Sequence, residues 1–213
     1  MSAVTPGELR ARNLRTLAAL AALFLAPLVL AFFTYYGTDW RPSAHVNHGR
    51  LITPARPLPQ VALERIDLGE GAPAAARGAG GPSALPPVFR THWSLVYVGD
   101  GACATDCREA LYVMRQARLA LNNDMTRVER VFLVASGCCD RGFLAREHPG
   151  LQVLDAGAAQ ARTLLARFPA EGREHTLFVV DPLGNLVMSY DARQDPRGLL
   201  QDLEKLLRLS HIG

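Results

Sequence analysis

Lysine is almost missing from this chain of 213 residues: Lys205 stands alone among 23 basic side chains, and the net charge is only +3. The arginines are scattered, with no basic run of the kind that tracks a phosphate backbone, so a nucleic-acid partner is excluded as the organising theme. No internal repeat is visible. Cysteine is sparse, with four in all, and none precedes residue 100. A cysteine-dense scaffold held by many bridges is thereby excluded, and whatever cysteine chemistry the chain has is confined to the stretch from Cys103 to Cys139.

Charge is also missing from one long stretch. Leu17 to Tyr36 reads LAALAALFLAPLVLAFFTYY, long enough at about 1.5 Å per residue to cross a hydrocarbon core of about 30 Å. Pro27 is tolerable in such a helix, and Tyr35, Tyr36 and Trp40 form an aromatic edge. The run is apolar on every face, which argues against a buried helix of a soluble domain. It is long for the apolar region of a signal peptide and no A-x-A site closes it, so an uncleaved anchor is favoured over a cleaved leader. Arg10, Arg12 and Arg15 precede the span. They place the N-terminus in the cytoplasm and the rest of the chain on the exported, periplasmic side of the inner membrane, although Arg41, Arg50 and Arg56 reduce the contrast.

The organisation read from this is a tail over 1–16, a transmembrane helix over 17–36, a linker with a possible strand and a flexible loop over 37–87, and a folded domain over 88–213. Arg41 to Pro59 reads as an extended juxtamembrane stretch, and its His45 and His48 as solvated linker histidines in preference to metal-handling ones. Val61 to Leu68 alternates as a strand does. Gly69 to Pro87 is a Gly/Ala/Pro loop.

Within the domain, Trp93 to Val98 predicts a strand, and a helix follows from Asp106 to Asn122, with Asp106 and Glu109 as a capping box. Cys107, Ala110, Leu111, Met114, Ala117 and Leu121 share one face of it, so Met114 reads as core packing. Val128 to Ala135 is a buried strand that Gly137 to Gly142 terminates. A short strand at Leu151 to Leu154 and a helix from Ala158 to Phe168, stopped by Pro169, come next. Thr176 to Val180 and Leu186 to Tyr190 form a hairpin, and Leu199 to Leu209 an amphipathic helix. This order predicts an α/β, thioredoxin-like domain behind a single N-terminal transmembrane helix.

Cys103 falls just before the first domain helix and Cys107 in its first turn, so both sulfurs face one side. The positive end of the helix favours thiolate over thiol, which serves metal binding and disulfide exchange alike. In an oxidising compartment such thiols persist as a disulfide, as metal ligands, or under an active reducing system. A purely stabilising bridge is a poor reason for the pair, because so small a loop removes little entropy from the unfolded chain. His175 opens a later strand, and two soft sulfurs with an imidazole make a copper-type donor set. The bland reading of His175 is a half-buried, hydrogen-bonded strand-start residue; His92, His148 and His211 read as surface residues. Cys138 and Cys139 are adjacent, and neighbours rarely bridge because the ring is strained. They are accessory thiols able to exchange disulfides or metal with the Cys103/Cys107 site, or else incidental loop thiols.

From Trp93 onward the chain resembles the Sco/SenC family of membrane-anchored, thioredoxin-fold copper proteins of cytochrome c oxidase assembly. The matching residues are the strand leading into Cys103-x-x-x-Cys107, the helix after it, and Glu174-His175-Thr176 before Leu177 to Val180 and the turn Asp181-Pro182-Leu183-Gly184. The family places Pro after each cysteine, where this chain has Ala104 and Arg108. It carries an acidic stretch after the middle strand, where this chain has Ser136 to Arg141. The resemblance implies Cys103, Cys107 and His175 as copper ligands, with copper as Cu(I) or Cu(II). It also implies an oxidase subunit or other copper-accepting protein as partner. Expected function is therefore a tethered copper-binding and thiol-redox protein, a metallochaperone in preference to an enzyme. The alternative is a metal-free thiol:disulfide oxidoreductase in which Cys103 and Cys107 are the catalytic redox pair. A peroxidase fits less well, because Asp100 and Asp106 disfavour a peroxidatic thiolate. An anchored, redox-inert scaffold is the fourth reading.

Overall fold

The computed structural model describes residues 6–37, 47–69, 88–210 and 212, in two compact units that divide after His45. Trp40, His45, His211 and the loop after Gly69 lie outside the described residues.

The first unit holds α1, Pro6–Gly37. Its segment Arg12–Gly37 has a mean hydropathy of 2.4 over its most apolar window and is long enough to cross a membrane. Leu20, Phe24, Leu28 and Phe32 are all exposed, so no protein packing accounts for this apolarity. Pro27 sits inside the helix, as such a span permits.

The second unit is built on a sheet of seven strands in the order β1-β7-β6-β3-β4-β5-β2. Its centre is β3 (Trp93–Asp100), parallel to β4 (Val128–Ser136), which is parallel to β5 (Gln152–Asp155). On the other side of β3 lies a hairpin whose first strand, β6 (Thr176–Val180), is antiparallel to β3 and whose second, β7 (Asn185–Asp191), is antiparallel to β6. Alternation along β3 explains the layers. Trp93, Leu95 and Tyr97 face a core shared with α2 (Thr105–Ala120) and α5 (Pro196–Leu209). Val96 and Val98 face a second core with Leu164 of α4 (Arg162–Leu165) and with Phe168. Helices on both faces of a sheet mixed in this way define the predicted thioredoxin-like arrangement.

Several expectations change. Within 37–87, read as linker with a possible strand and a flexible loop, the stretch read as extended juxtamembrane chain contains β1 (Arg50–Pro57), which pairs antiparallel with β7, while β2 lies in the possible strand and closes the other edge against β5. The alternation in Val61 to Leu68 yields only the two-residue strand β2, Glu64–Arg65. The capping box is not formed: Ala104 is the N-cap of α2 and makes no side-chain cap. The expected helix from Ala158 breaks into a 3-10 turn, Ala159–Ala161, and the single turn of α4. The segment after Gly137 does not merely punctuate, for Asp140 caps a short helix, α3 (Arg141–Glu147), by accepting from the Phe143 N–H. His148 is buried, not a surface residue, and packs edge-on against Phe143.

Candidate thiol-redox and metal site

Strand direction gathers the chemistry on one edge of the sheet. The parallel strands β3 and β4 end at Asp100 and Ser136, the antiparallel β6 begins there at Thr176, and β7 returns there at Asp191. The loops beyond these ends carry Cys103, Cys138–Cys139, His175 and Arg193. Outer ends of parallel strands are where α/β sheets present their sites, because side chains from several loops converge there.

Cys103 and Cys107 are joined as a disulfide, with Cα atoms 5.0 Å apart. Cys103 has φ +47°, in the left-handed region, which costs a non-glycine residue about 1–2 kcal/mol. That turn carries its sulfur back toward Cys107 at the start of α2. Both residues are nearly closed to solvent, at 1% and 4% exposure. They pack into the α2/α5 core as apolar residues would.

Cys138 and Cys139 form a second disulfide, the pairing that adjacent cysteines rarely make, with Cα atoms 3.3 Å apart. Cys138 is exposed and Cys139 half-buried against the same core. The two cysteine loops are fastened together. Gly101 N–H donates to the Ser136 carbonyl at 2.8 Å, and the Ser136 hydroxyl donates to Asp100 at 2.6 Å. That hydroxyl, with the Ala102 N–H, holds the Asp100 carboxyl below its usual range. A third tie comes from Arg108. Its Nε donates to the Cys103 carbonyl at 3.1 Å, its terminal nitrogen lies 3.3 Å from Asp140, and its guanidinium stacks 4.1 Å from the Phe143 ring.

His175 reaches the same edge as the last residue of a 3-10 turn, Arg173–His175. Tyr97 on β3 anchors this turn, its hydroxyl donating to the Glu174 carbonyl at 2.8 Å. Burial pushes the Tyr97 phenol up to about 12, with Asp106 and Glu174 adding to the effect, so it stays a donor. The His175 ring is mostly buried. Its Nδ1 lies 3.5 Å from Glu174 and its Nε2 3.8 Å from Asp191. Gly172 makes room for it, since a Cβ there would stand 3.1 Å from Nε2. Arg193 chelates Asp191 and, with a smaller pull from His175, holds its carboxyl down at about 2.

Cys103, Cys107 and His175 thus belong to one edge, with the sulfurs bonded to each other and the imidazole facing carboxylates. Among the described residues no group of three or more His, Cys, Asp and Glu side chains is arranged to hold a metal ion. A disulfide sulfur is a poor donor to a soft metal, so this state is the oxidised form of the cysteine pair, and any metal binding through these sulfurs would require its reduction. His48 is exposed, as a solvated histidine would be, but it is tied to the second unit: its backbone N–H donates to buried Asp202 and its ring lies 3.2 Å from Asp195. The turn Asp181 to Gly184 joins β6 to β7 at the opposite end of the sheet and has a structural role, Asp181 accepting from the Leu183 and Asn185 N–H groups. Sequence reading missed the parts played by Tyr97, Arg108, Asp191 and Gly101. Only Arg108 carried a local signal, as a cation directly after Cys107.

A thioredoxin-like domain with a buried, disulfide-bonded cysteine pair at the start of its first helix, in a chain with an N-terminal helix able to span a membrane, is the class that fold and site define. Consistent with it, the family model of the transmembrane-like, thioredoxin-like C-terminal domain matches residues 93–210, and the chain belongs to that family. Among solved structures, apo Sco1 from Thermus thermophilus in solution is similar with a TM-score of 0.52 at 21% identity, covering 77% of this chain and 99% of that one. Yeast Sco1 with copper bound is similar with a TM-score of 0.50 at 14% identity, covering 57% of this chain and 82% of that one. The Sco/SenC resemblance seen in the residues is borne out in the fold, from which this chain diverges widely in sequence. Comparison with curated proteins finds no match.

Proposed function

We propose that this protein is a membrane-tethered thiol-redox and copper-handling factor whose reduced Cys103 and Cys107, with His175, take up copper for delivery to the copper centre of a terminal oxidase. The observation carrying this reading is the placement of Cys103, Cys107 and His175 on one sheet edge, which the strand directions enforce. Reduction of the Cys103–Cys107 bond supplies two soft sulfurs at a helix N-terminus, where the dipole favours thiolate. Two thiolates and a neutral imidazole satisfy Cu(I), which needs few ligands. The copper is cargo. Anchoring through α1, with the folded domain on the periplasmic side of the inner membrane, would keep the domain at high effective concentration near a membrane-bound acceptor.

A second reading is supported by the contacts of His175 with Glu174 and Asp191. Here Cys103 and Cys107 shuttle electrons to cysteines of exported proteins, and the imidazole only secures the turn. Anaerobic Cu(I) titration of the reduced full-length protein in detergent separates the two. One tight site, lost in Cys103→Ser and Cys107→Ser and weakened at least about tenfold in His175→Ala, supports copper handling. Unchanged affinity in His175→Ala with fast dithiol exchange supports the oxidoreductase.

A further inference from the structure

The Cys103–Cys107 bond is sealed in the core, and a partner's thiol has no direct line to it. Thiol–disulfide exchange requires the attacking sulfur to reach its target almost in line, so access limits the rate as strongly as reactivity does. The exposed cysteine on this edge is Cys138, on the neighbouring loop. That loop abuts the first one. A Cβ on Gly101 would stand 2.6 Å from the Gly137 carbonyl oxygen and 2.8 Å from the Cys138 Cα, so nothing larger than glycine fits between the cysteine loops. Arg108 crosses the same gap, holding the carbonyl of Cys103 and the carboxylate of Asp140, the residue after Cys139. Cys139 and Cys103 pack against one apolar cluster.

We infer that Cys138 and Cys139 are the electron entry port for Cys103 and Cys107, the two pairs forming an internal dithiol–disulfide relay. The inference rests on the reading of Cys103 and Cys107 as a redox pair. An external protein dithiol first reduces the Cys138–Cys139 bond and leaves as a disulfide, having given up two electrons and two protons. The Cys138 thiolate then attacks one sulfur of the Cys103–Cys107 bond. A mixed disulfide forms between the loops, and the displaced sulfur takes up a proton. The Cys139 thiolate attacks Cys138 in that mixed disulfide and releases the second sulfur as a thiol. In sum, two electrons and two protons pass inward, the vicinal bond is restored, and Cys103 and Cys107 are free as a dithiol. Arg108 positions the two loops, and through its bond to the Cys103 carbonyl it adds a fixed positive charge to the loop in which thiolates develop.

The test uses the oxidised full-length protein in detergent, with reduced thioredoxin as the protein dithiol, acid quenching, alkylation and peptide mass mapping. In the native chain, label appears on Cys103 and Cys107 quickly. In the Cys138→Ser/Cys139→Ser chain, with thermal melting unchanged, that labelling slows by about tenfold or more. In Cys139→Ser, where release is blocked, a mixed disulfide from Cys138 to Cys103 or Cys107 accumulates. Equal labelling rates in the native and double-serine chains, with no mixed disulfide in Cys139→Ser, overturn the relay while leaving the redox pair intact. A native Cys103–Cys107 bond that resists even excess dithiothreitol in the folded protein overturns both.

Discussion

Gly101 and Cys138 meet backbone to backbone, so closely that the loop carrying Cys103 and the loop carrying Cys138 pack as one surface. Parallel pairing of β3 with β4 brings the loops to the same edge, and the lack of a side chain at Gly101 lets them touch. In Gly101→Ala the new methyl meets backbone atoms that no rotamer change can move. The expected cost is about 1–3 kcal/mol of stability, seen as a lower melting temperature. Transfer between the cysteine pairs should slow in the same variant, as read by differential alkylation.

Arg108 ties Cys103 to Asp140 through an exposed guanidinium, and such exposed pairs contribute little to stability. Arg108→Ala should therefore melt within a few degrees of the native protein. Its effect should fall on exchange kinetics, where loss of the tie and of the nearby charge slows reduction of Cys103–Cys107 several-fold. Arg108→Lys should recover the charge effect without the two-point tie. A large loss of stability in Arg108→Ala, with exchange unaltered, would contradict this assignment.

His148 gives the protein a pH dependence of defined sign. Burial, with Arg130 and Arg115 nearby, lowers its pKa from 6.5 to about 4. The unfolded chain takes up the proton near pH 6.5 and the folded chain does not. Stability from this residue is complete above about pH 6.5 and is lost as pH falls toward 4, by on the order of 2–3 kcal/mol. Denaturant unfolding across that range should show a steeper decline for the native protein than for His148→Leu. Parallel declines would contradict the assignment.

Asp202 on α5 accepts hydrogen bonds from the His48 and Gly49 N–H groups at 2.7 and 2.9 Å and from the Tyr190 hydroxyl at 2.5 Å. It thereby fastens the chain just before β1 to β7 and α5. Asp202→Ala leaves buried donors without an acceptor and should cost about 3 kcal/mol. Protease cleavage should then begin around residues 47–57, because β1 is an edge strand whose one strand neighbour is β7. Tyr190→Phe should show a smaller loss, since the two backbone donors remain.

The strands and long helices were legible because their cause is local. Trp93 to Val98 and Val128 to Ala135 are apolar runs too short for helices, and the face from Cys107 to Ala117 repeats at helical spacing. β1 was missed because its exposed residues, Arg50 to Pro57, carry no alternation, and its strand character comes from β7 beside it. Asp106 and Glu109 had the residue types of a capping box, but the chain enters α2 directly from the turn that closes Cys103 onto Cys107, and Ala104 takes the cap. His148 reads as polar in a sequence, and only the packing of α3 against the sheet buries it.

By itself the sequence determined the apolar N-terminal helix, the α/β element order and the closeness of Cys103 to Cys107 at a helix start, since each depends on composition or spacing within one segment. Tertiary structure alone decided that Cys103–Cys107 is sealed and Cys138 is open, that Gly101 lets their loops touch, and that His175 turns its nitrogens toward Glu174 and Asp191. Those outcomes depend on which strand ends meet at an edge and what covers them, and contacts between residues distant along the chain are set only when the sheet closes.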